Sequence, residues 1–152
     1  MFHGKSEYVP FMTVVELIGR VLFALVFLVS PGAVLKRVGA VAGAPPLRWM
    51  PKGVAPIAVA GSAVVAVIGA ALIALGLWPD LGAILVIAFL IPVTLTMHRF
   101  WEVSDPGPRG IKRGTFLYNV SLAGGAILLF CMVNQAQDVP AGLLSDPLFS
   151  RW

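Results

Sequence analysis

Residues 54–97 read VAPIAVAGSAVVAVIGAALIALGLWPDLGAILVIAFLIPVTLTM, an apolar stretch broken only by Trp78, Pro79 and Asp80. A helix in a water-soluble protein needs a polar face, which this stretch lacks. Because about 20 consecutive apolar residues suffice to cross a bilayer, the stretch predicts two membrane helices, 54–77 and 81–97, joined by a tight turn.

Two further apolar segments flank this pair. Residues 11–30 predict a first span that ends at Ser30-Pro31-Gly32, and residues 115–133 predict a fourth span. Of the 152 residues, 59% are hydrophobic and 12% are charged, whereas globular proteins average about 25% charged residues. We therefore expect an all-α membrane protein, a four-helix bundle that forms a single domain over residues 1–152. Residues 134–152 are expected to form an apolar tail at the membrane interface.

The basic residues predict how the bundle is oriented. Short loops rich in Lys and Arg stay in the cytoplasm, so both basic loops are expected to be cytoplasmic and both termini external. Basic side chains beside apolar spans suit anionic lipid headgroups, and nothing resembling a nucleic-acid recognition module accompanies them. Eight of the eleven Lys and Arg residues lie in the two loops: Lys36, Arg37, Arg48, Lys52, Arg99, Arg109, Lys112 and Arg113.

Glu16 and Arg20 are charged residues inside the first span, four apart and hence on one helix face. A charge at the centre of a membrane helix costs about 2.5 to 3.5 kcal/mol, so both side chains should face the bundle interior or water. One interpretation is a site for a polar headgroup, a quinone or a proton. The other is a self-neutralising pair in which Arg20 reaches toward the outer interface.

A second group of polar residues is predicted near the cytoplasmic side. His98 and Arg99 end the third span, and Asn119 lies early in the fourth. His98 could carry a proton or bind a ligand, or it could be an interfacial residue at a helix end. The sequence contains no phosphate-binding loop, nucleophile elbow or metal-ligand motif, so no catalytic residue and no metal site is assigned. We do not expect the chain to catalyse a reaction on its own.

The second span carries a stripe of small residues, which favours close packing against another helix in lipid. An Ala-rich composition alone would produce part of this pattern. The stripe consists of Ala58, Ser62, Ala66, Ala70 and Ala74.

Several segments together resemble the DoxX family of small bacterial membrane proteins, over about residues 16–130. The order and spacing of the segments carry the resemblance: GRVL at 19–22 with FLVS at 27–30, GAALIALG at 69–76, HRFW at 98–101 and YNVSLAGG at 118–125.

The resemblance implies a four-helix protein of the bacterial cytoplasmic membrane. The family is named for a subunit associated with thiosulfate:quinone oxidoreductase, and relatives are linked to redox and oxidative-stress complexes. Arg20, His98 and Asn119 match recurrent polar positions of the family. Ala66 stands where many relatives carry an acidic residue, and Pro31 separates Ser30 from Gly32.

The missing acidic residue favours a structural role. We therefore expect an accessory or scaffold subunit of a larger membrane complex, with other membrane or redox subunits as partners and no cofactor of its own. The alternative is a quinone-binding subunit of an oxidoreductase.

Overall fold

The fold is a bundle of long helices. The structure, a computed structural model, describes residues 8–135 and 143–149, with side chains from residue 13 onward. Within these residues it contains no strand, which confirms the all-α prediction. All helices except the second are long and apolar enough to cross a membrane, so the predicted four-helix membrane architecture is also confirmed. The rest of the predicted C-terminal tail lies outside the described residues. The helices are α1 (Tyr8–Leu35), α2 (Val38–Ala42), α3 (Val54–Leu75), α4 (Pro79–Met97) and α5 (Pro106–Gln135).

The four long helices alternate in direction, so the bundle has two distinct ends. We call the end that carries the loops 36–53 and 98–105 the basic end. The opposite end carries the connection between α3 and α4, residues 76–78, and the segment 143–149, and we call it the turn end.

Helix α1 continues past the point where the sequence predicts its end. Pro31 lies inside the helix, which ends at Leu35 rather than at Ser30. Proline removes one backbone hydrogen bond, but the side chain of Pro31 is fully buried in the bundle. Packing around the ring therefore stabilises the helix through a position that the local sequence marks as a stop.

Helix α5 begins about two turns before the predicted start of the fourth span, within a proline-rich stretch that composition assigns to a loop. The carboxylate of Asp105 accepts a hydrogen bond from the Gly107 N–H at 3.3 Å, and the Asp105 carbonyl accepts one from Arg109 at 3.0 Å. Pro106 and Pro108 occupy the first turn, where backbone N–H groups have no partner within the helix. The prolines therefore start this helix and do not interrupt it.

The connection between α3 and α4 depends on one glycine. Gly76 has a φ of 68°, in the left-handed region that favours glycine. The N–H of Leu77 donates to the carbonyl of Leu72 at 3.0 Å, which closes the helix end. The chain can therefore reverse within three residues and begin α4 at Pro79.

The helices pack in the order α1, α3, α4, α5, and the aromatic rings of α1 fill the centre. Helices α3 and α4 approach each other closely, since a Cβ added to Gly69 would lie 2.9 Å from the Gly82 carbonyl oxygen. The ring of Phe23 packs against Gly125 and joins α1 to α5. The core consists of Ala24, Phe27, Ala70, Ile73, Ala83, Val86, Leu90 and Ala126.

The small residues of α3 divide between buried and partly buried positions. Ala66 and Ala70 are fully buried, whereas Ala58, Ser62 and Ala74 are half-buried. Each step of four residues turns about 40° beyond a full circle, so positions sixteen residues apart lie about 160° apart around the helix. The buried face instead combines steps of three and four residues, with Gly69 and Ala70 adjacent: Ala55, Val59, Ala63, Ala66, Gly69, Ala70 and Ile73.

Candidate functional site

Arg20 points into the turn end of the bundle. Its side chain is only 6% exposed, and its Nε lies 4.0 Å from Oε1 of Glu16, whose side chain is 38% exposed. The Nη1 atom lies against Gly76, where an added Cβ would overlap with it. The guanidinium group is therefore part of the packing around the α3–α4 connection.

The segment 143–149 folds back over this connection. The N–H groups of Leu144 and Ser145 donate to the Gly76 carbonyl at 2.9 and 3.3 Å. The Trp78 N–H donates to the Ser145 hydroxyl at 2.7 Å, which supports Trp78 at its positive φ of 42°. Because these bonds satisfy backbone groups of the turn, the segment forms a cap over the turn end, which we call the C-terminal cap.

Asp80 holds the C-terminal cap against the bundle, and it was not among the site residues predicted from the sequence. The residue is fully buried, its Oδ2 accepts a hydrogen bond from the Phe149 N–H at 2.8 Å, and its Oδ1 accepts one from Leu81 at 2.9 Å. The feature of the sequence that could have identified Asp80 is its place as an acidic residue in the first turn of α4, directly after Pro79. Its distant partner, 69 residues away, leaves no local pattern.

The polar residues that were predicted to form a cluster at the basic end, His98, Arg99 and Asn119, lie in different surroundings. Arg99 donates from Nε to the Leu95 carbonyl at 3.0 Å, and its Nη1 lies 2.9 Å from Oε1 of Glu102. His98 is half-buried directly after α4. Three aromatic rings, Phe100, Trp101 and Phe116, pack edge to face at centroid distances of 5.1 to 5.9 Å. The two contacts of Arg99 described above therefore lie within its own loop and the end of α4.

Asn119 lies instead in a groove between α4 and α5. The groove has a volume of about 160 Å³, and its other polar residue is Thr94; neither His98 nor Arg99 lines it. Thr94 is 6% exposed and Asn119 is 9% exposed. Among the described residues, no side-chain hydrogen bond joins either of them to a partner. The remaining lining is apolar: Leu90, Ile91, Leu95, Phe116, Val120 and Ala123.

This groove, which we call the α4–α5 groove, is the candidate functional site. An amide without a hydrogen-bond partner is costly away from water, so a ligand or helix that supplies one gains binding energy there. At the turn end, by contrast, the carboxylate of Asp80 already accepts a hydrogen bond from the C-terminal cap. The described residues contain no group of three or more His, Cys, Asp or Glu side chains that could hold a metal ion.

Comparison with known proteins identifies the family of the chain. The family model DoxX matches residues 15–99, more than half of the chain, from α1 through the end of α4. No curated protein and no solved structure matches the chain. The matched stretch includes Arg20, Thr94 and His98, whereas α5 and Asn119 lie beyond it.

Proposed function

The chain belongs to the DoxX family of membrane proteins, and from that premise we propose that it is an accessory subunit of a larger membrane complex. The expected assembly is a redox complex of the bacterial cytoplasmic membrane. One observation carries the proposal, the presence of Asn119 and Thr94 in the α4–α5 groove without a described side-chain partner.

The groove has the properties of a contact surface for a neighbouring membrane helix. Its rim is formed by the exposed side chains of Ile91, Leu95 and Val120. Between membrane helices, packing and hydrogen bonds from Asn and Thr favour association, each bond contributing about 0.6 to 2 kcal/mol. A partner helix that offers a hydroxyl or carbonyl group would satisfy the Asn119 amide and cover the apolar rim.

The experiment compares Asn119→Leu with Ser121→Leu. Ser121 is exposed, its hydroxyl already donates to the Leu117 carbonyl at 3.1 Å, and it lies about 160° around α5 from Asn119. Tagged chains are extracted from the native membrane in mild detergent, and co-purifying polypeptides are quantified by mass spectrometry.

The proposal predicts a stoichiometric partner with the wild-type chain and with Ser121→Leu, and a loss of that partner with Asn119→Leu. The thermal stability of the isolated Asn119→Leu chain should not fall, because the amide has no described partner within the chain to lose. Purification of the wild-type chain without any stoichiometric partner defeats the proposal.

A quinone-binding subunit is the second candidate, and Phe116 favours it. The ring of Phe116 lines the same groove as the two polar side chains. A quinone has a flat ring for aromatic contact and carbonyl oxygens that accept hydrogen bonds from an amide or a hydroxyl. This candidate moves the site away from Glu16 and Arg20, which do not line the groove.

Binding of a short-chain ubiquinone analogue to the purified wild-type chain tests the second candidate. Thr94→Val and Asn119→Leu should each weaken binding about two- to tenfold, since a hydrogen bond contributes about 0.5 to 1.5 kcal/mol. Ser121→Leu should bind normally. Equal affinity in all four proteins rules out the groove as the quinone site.

A further inference from the structure

A second cavity lies at the basic end, on the other side of α4. It has a volume of about 180 Å³ and lies between α1, α3 and α4, beneath α2 and the loop that follows it. Each of these elements contributes side chains to its wall, including Val34, Val41, Met50, Ala58, Phe89 and Met97. We call it the basic-end cavity.

The wall of the basic-end cavity favours hydrocarbon over water. Its two hydroxyl groups are already engaged as donors, Ser62 to the Val59 carbonyl at 2.9 Å and Thr96 to the Pro92 carbonyl at 2.6 Å. A buried water needs two to four polar partners, whereas an apolar cavity of about 150 Å³ stays dry and accepts a hydrocarbon ligand. Pro92 lines the cavity and is exposed on a membrane helix, so the cavity opens toward lipid.

The loop that covers this cavity is strongly basic. Residues 36–53 contain four basic residues and no acidic one. Arg48 directly follows the lining residue Leu47, and Lys52 lies two residues beyond the lining residue Met50. Both basic side chains are exposed, and none of the ion pairs found among the described residues involves them. A negatively charged group near this loop would therefore be attracted.

From the cavity and the loop together, we propose that the chain binds one anionic phospholipid at the basic end. A segment of one acyl chain, about six carbons long, occupies the basic-end cavity, since a cavity of about 150 Å³ holds a group the size of benzene. The phosphate headgroup lies beside Arg48 and Lys52. The exposed ring of Trp49, 67% accessible, suits the same headgroup layer. The lipid site is independent of the α4–α5 groove, since the two linings share no residue.

The experiment measures lipid retention by native mass spectrometry. The purified chain is mixed with phosphatidylglycerol or with phosphatidylcholine of the same acyl chains, and the bound fraction is compared. The wild-type chain should retain one phosphatidylglycerol in preference to phosphatidylcholine, and equal retention of the two lipids overturns the headgroup assignment.

Two pairs of variants distinguish binding of the acyl chain from binding of the headgroup. Ala58→Phe fills the cavity and should reduce retention of both lipids about tenfold, whereas Val64→Phe, on the exposed face of α3, should not. Replacing Arg48 and Lys52 by Gln should weaken phosphatidylglycerol about fivefold per charge and leave phosphatidylcholine unchanged. Replacing Arg109 and Arg113 by Gln, in the other basic segment, is the matched control.

Normal phosphatidylglycerol retention by a folded Ala58→Phe chain overturns the proposal. If that variant does not fold, Ser62→Leu takes its place, since it puts a smaller side chain into the same wall. Normal phosphatidylglycerol retention by Ser62→Leu then overturns the proposal. If the Arg48/Lys52 and Arg109/Arg113 double variants lose phosphatidylglycerol equally, the attraction is a general effect of charge. That result also overturns the proposed site.

Discussion

At the scale of single residues, buried polar groups organise the turn end of the bundle. Asp80 connects the start of α4 to the C-terminal cap, and Arg20 packs against the glycine that reverses the chain. Each of these side chains holds together segments that are distant in sequence. Their replacement therefore tests how the end of the bundle is closed.

Replacing Asp80 by Ala should loosen the C-terminal cap. The substitution removes the acceptors of the Phe149 and Leu81 N–H groups, and a hydrogen bond to a charged group contributes about 1.5 to 3 kcal/mol. We expect a lower melting temperature in detergent and faster proteolysis near residue 143. Asp146→Ala, at an exposed position of the same segment, should behave like the wild type. An unchanged cleavage rate in Asp80→Ala would show that Asp80 does not hold the cap.

Replacing Gly76 by Ala should destabilise the chain by about 1 to 3 kcal/mol. The new Cβ would sit at a φ of 68° and would overlap with the Arg20 guanidinium. Gly61→Ala is the matched control, since Gly61 lies in α3 with open space around it, and that change should be neutral or stabilising. Thermal unfolding of both variants in the same detergent makes the comparison. Equal melting temperatures would contradict the account of this turn.

At the scale of helices, the contact between α3 and α4 determines how closely the bundle packs. Gly69 and Gly82 face each other, and a Cβ on either would lie within 2.9 Å of the other's carbonyl oxygen. Lipid provides no hydrophobic force between membrane helices, so close backbone packing has to stabilise their association.

Enlarging residues in this contact, or elsewhere on the buried face of α3, should therefore disrupt the bundle. Gly82→Ala, Ala66→Leu and Ala70→Leu all insert atoms into fully packed positions, and overpacking costs about 1 to 3 kcal/mol each. Ile68→Leu, on the exposed face of α3, should be tolerated. The yield of monodisperse protein and the melting temperature provide the measurement. If Ala66→Leu and Ile68→Leu behave alike, the α3 contact is not tight.

The sequence predicted the helices better than their contacts and ends. Long apolar segments identify membrane helices because lipid requires every backbone group to be paired within the span. Pro31 and Pro106 were misleading because packing or capping decides whether a proline stops or starts a helix.

The sites were harder to predict for the same reason. Glu16 and Arg20 could be paired from their spacing, but Gly76 beneath Arg20 and Phe149 beside Asp80 depend on the tertiary fold. Asn119 was identified from the family resemblance and as part of a cluster with His98. Its groove with Thr94 could not be predicted without knowing that α4 and α5 are neighbours.

At the scale of the whole molecule, charge predicts the orientation in the membrane. Both basic loops lie at one end of the bundle, so the positive-inside rule predicts this end to be cytoplasmic and both termini external. Single cysteines at Gly43 and Pro106, in a Cys131→Ser background, should be protected from an impermeant thiol reagent in intact cells. A cysteine added at the C-terminus should be labelled. Labelling at Gly43 would contradict the orientation.

The proposed role as an accessory subunit depends on what covers the α4–α5 groove in the membrane. A photo-crosslinking amino acid at Val120, on the groove, and one at the exposed Tyr118, about 160° around α5 from Val120, make the most direct test. After irradiation of intact membranes, the proposed role predicts a discrete adduct with a second polypeptide from Val120 and no such adduct from Tyr118. Lipid adducts alone from both positions would contradict it.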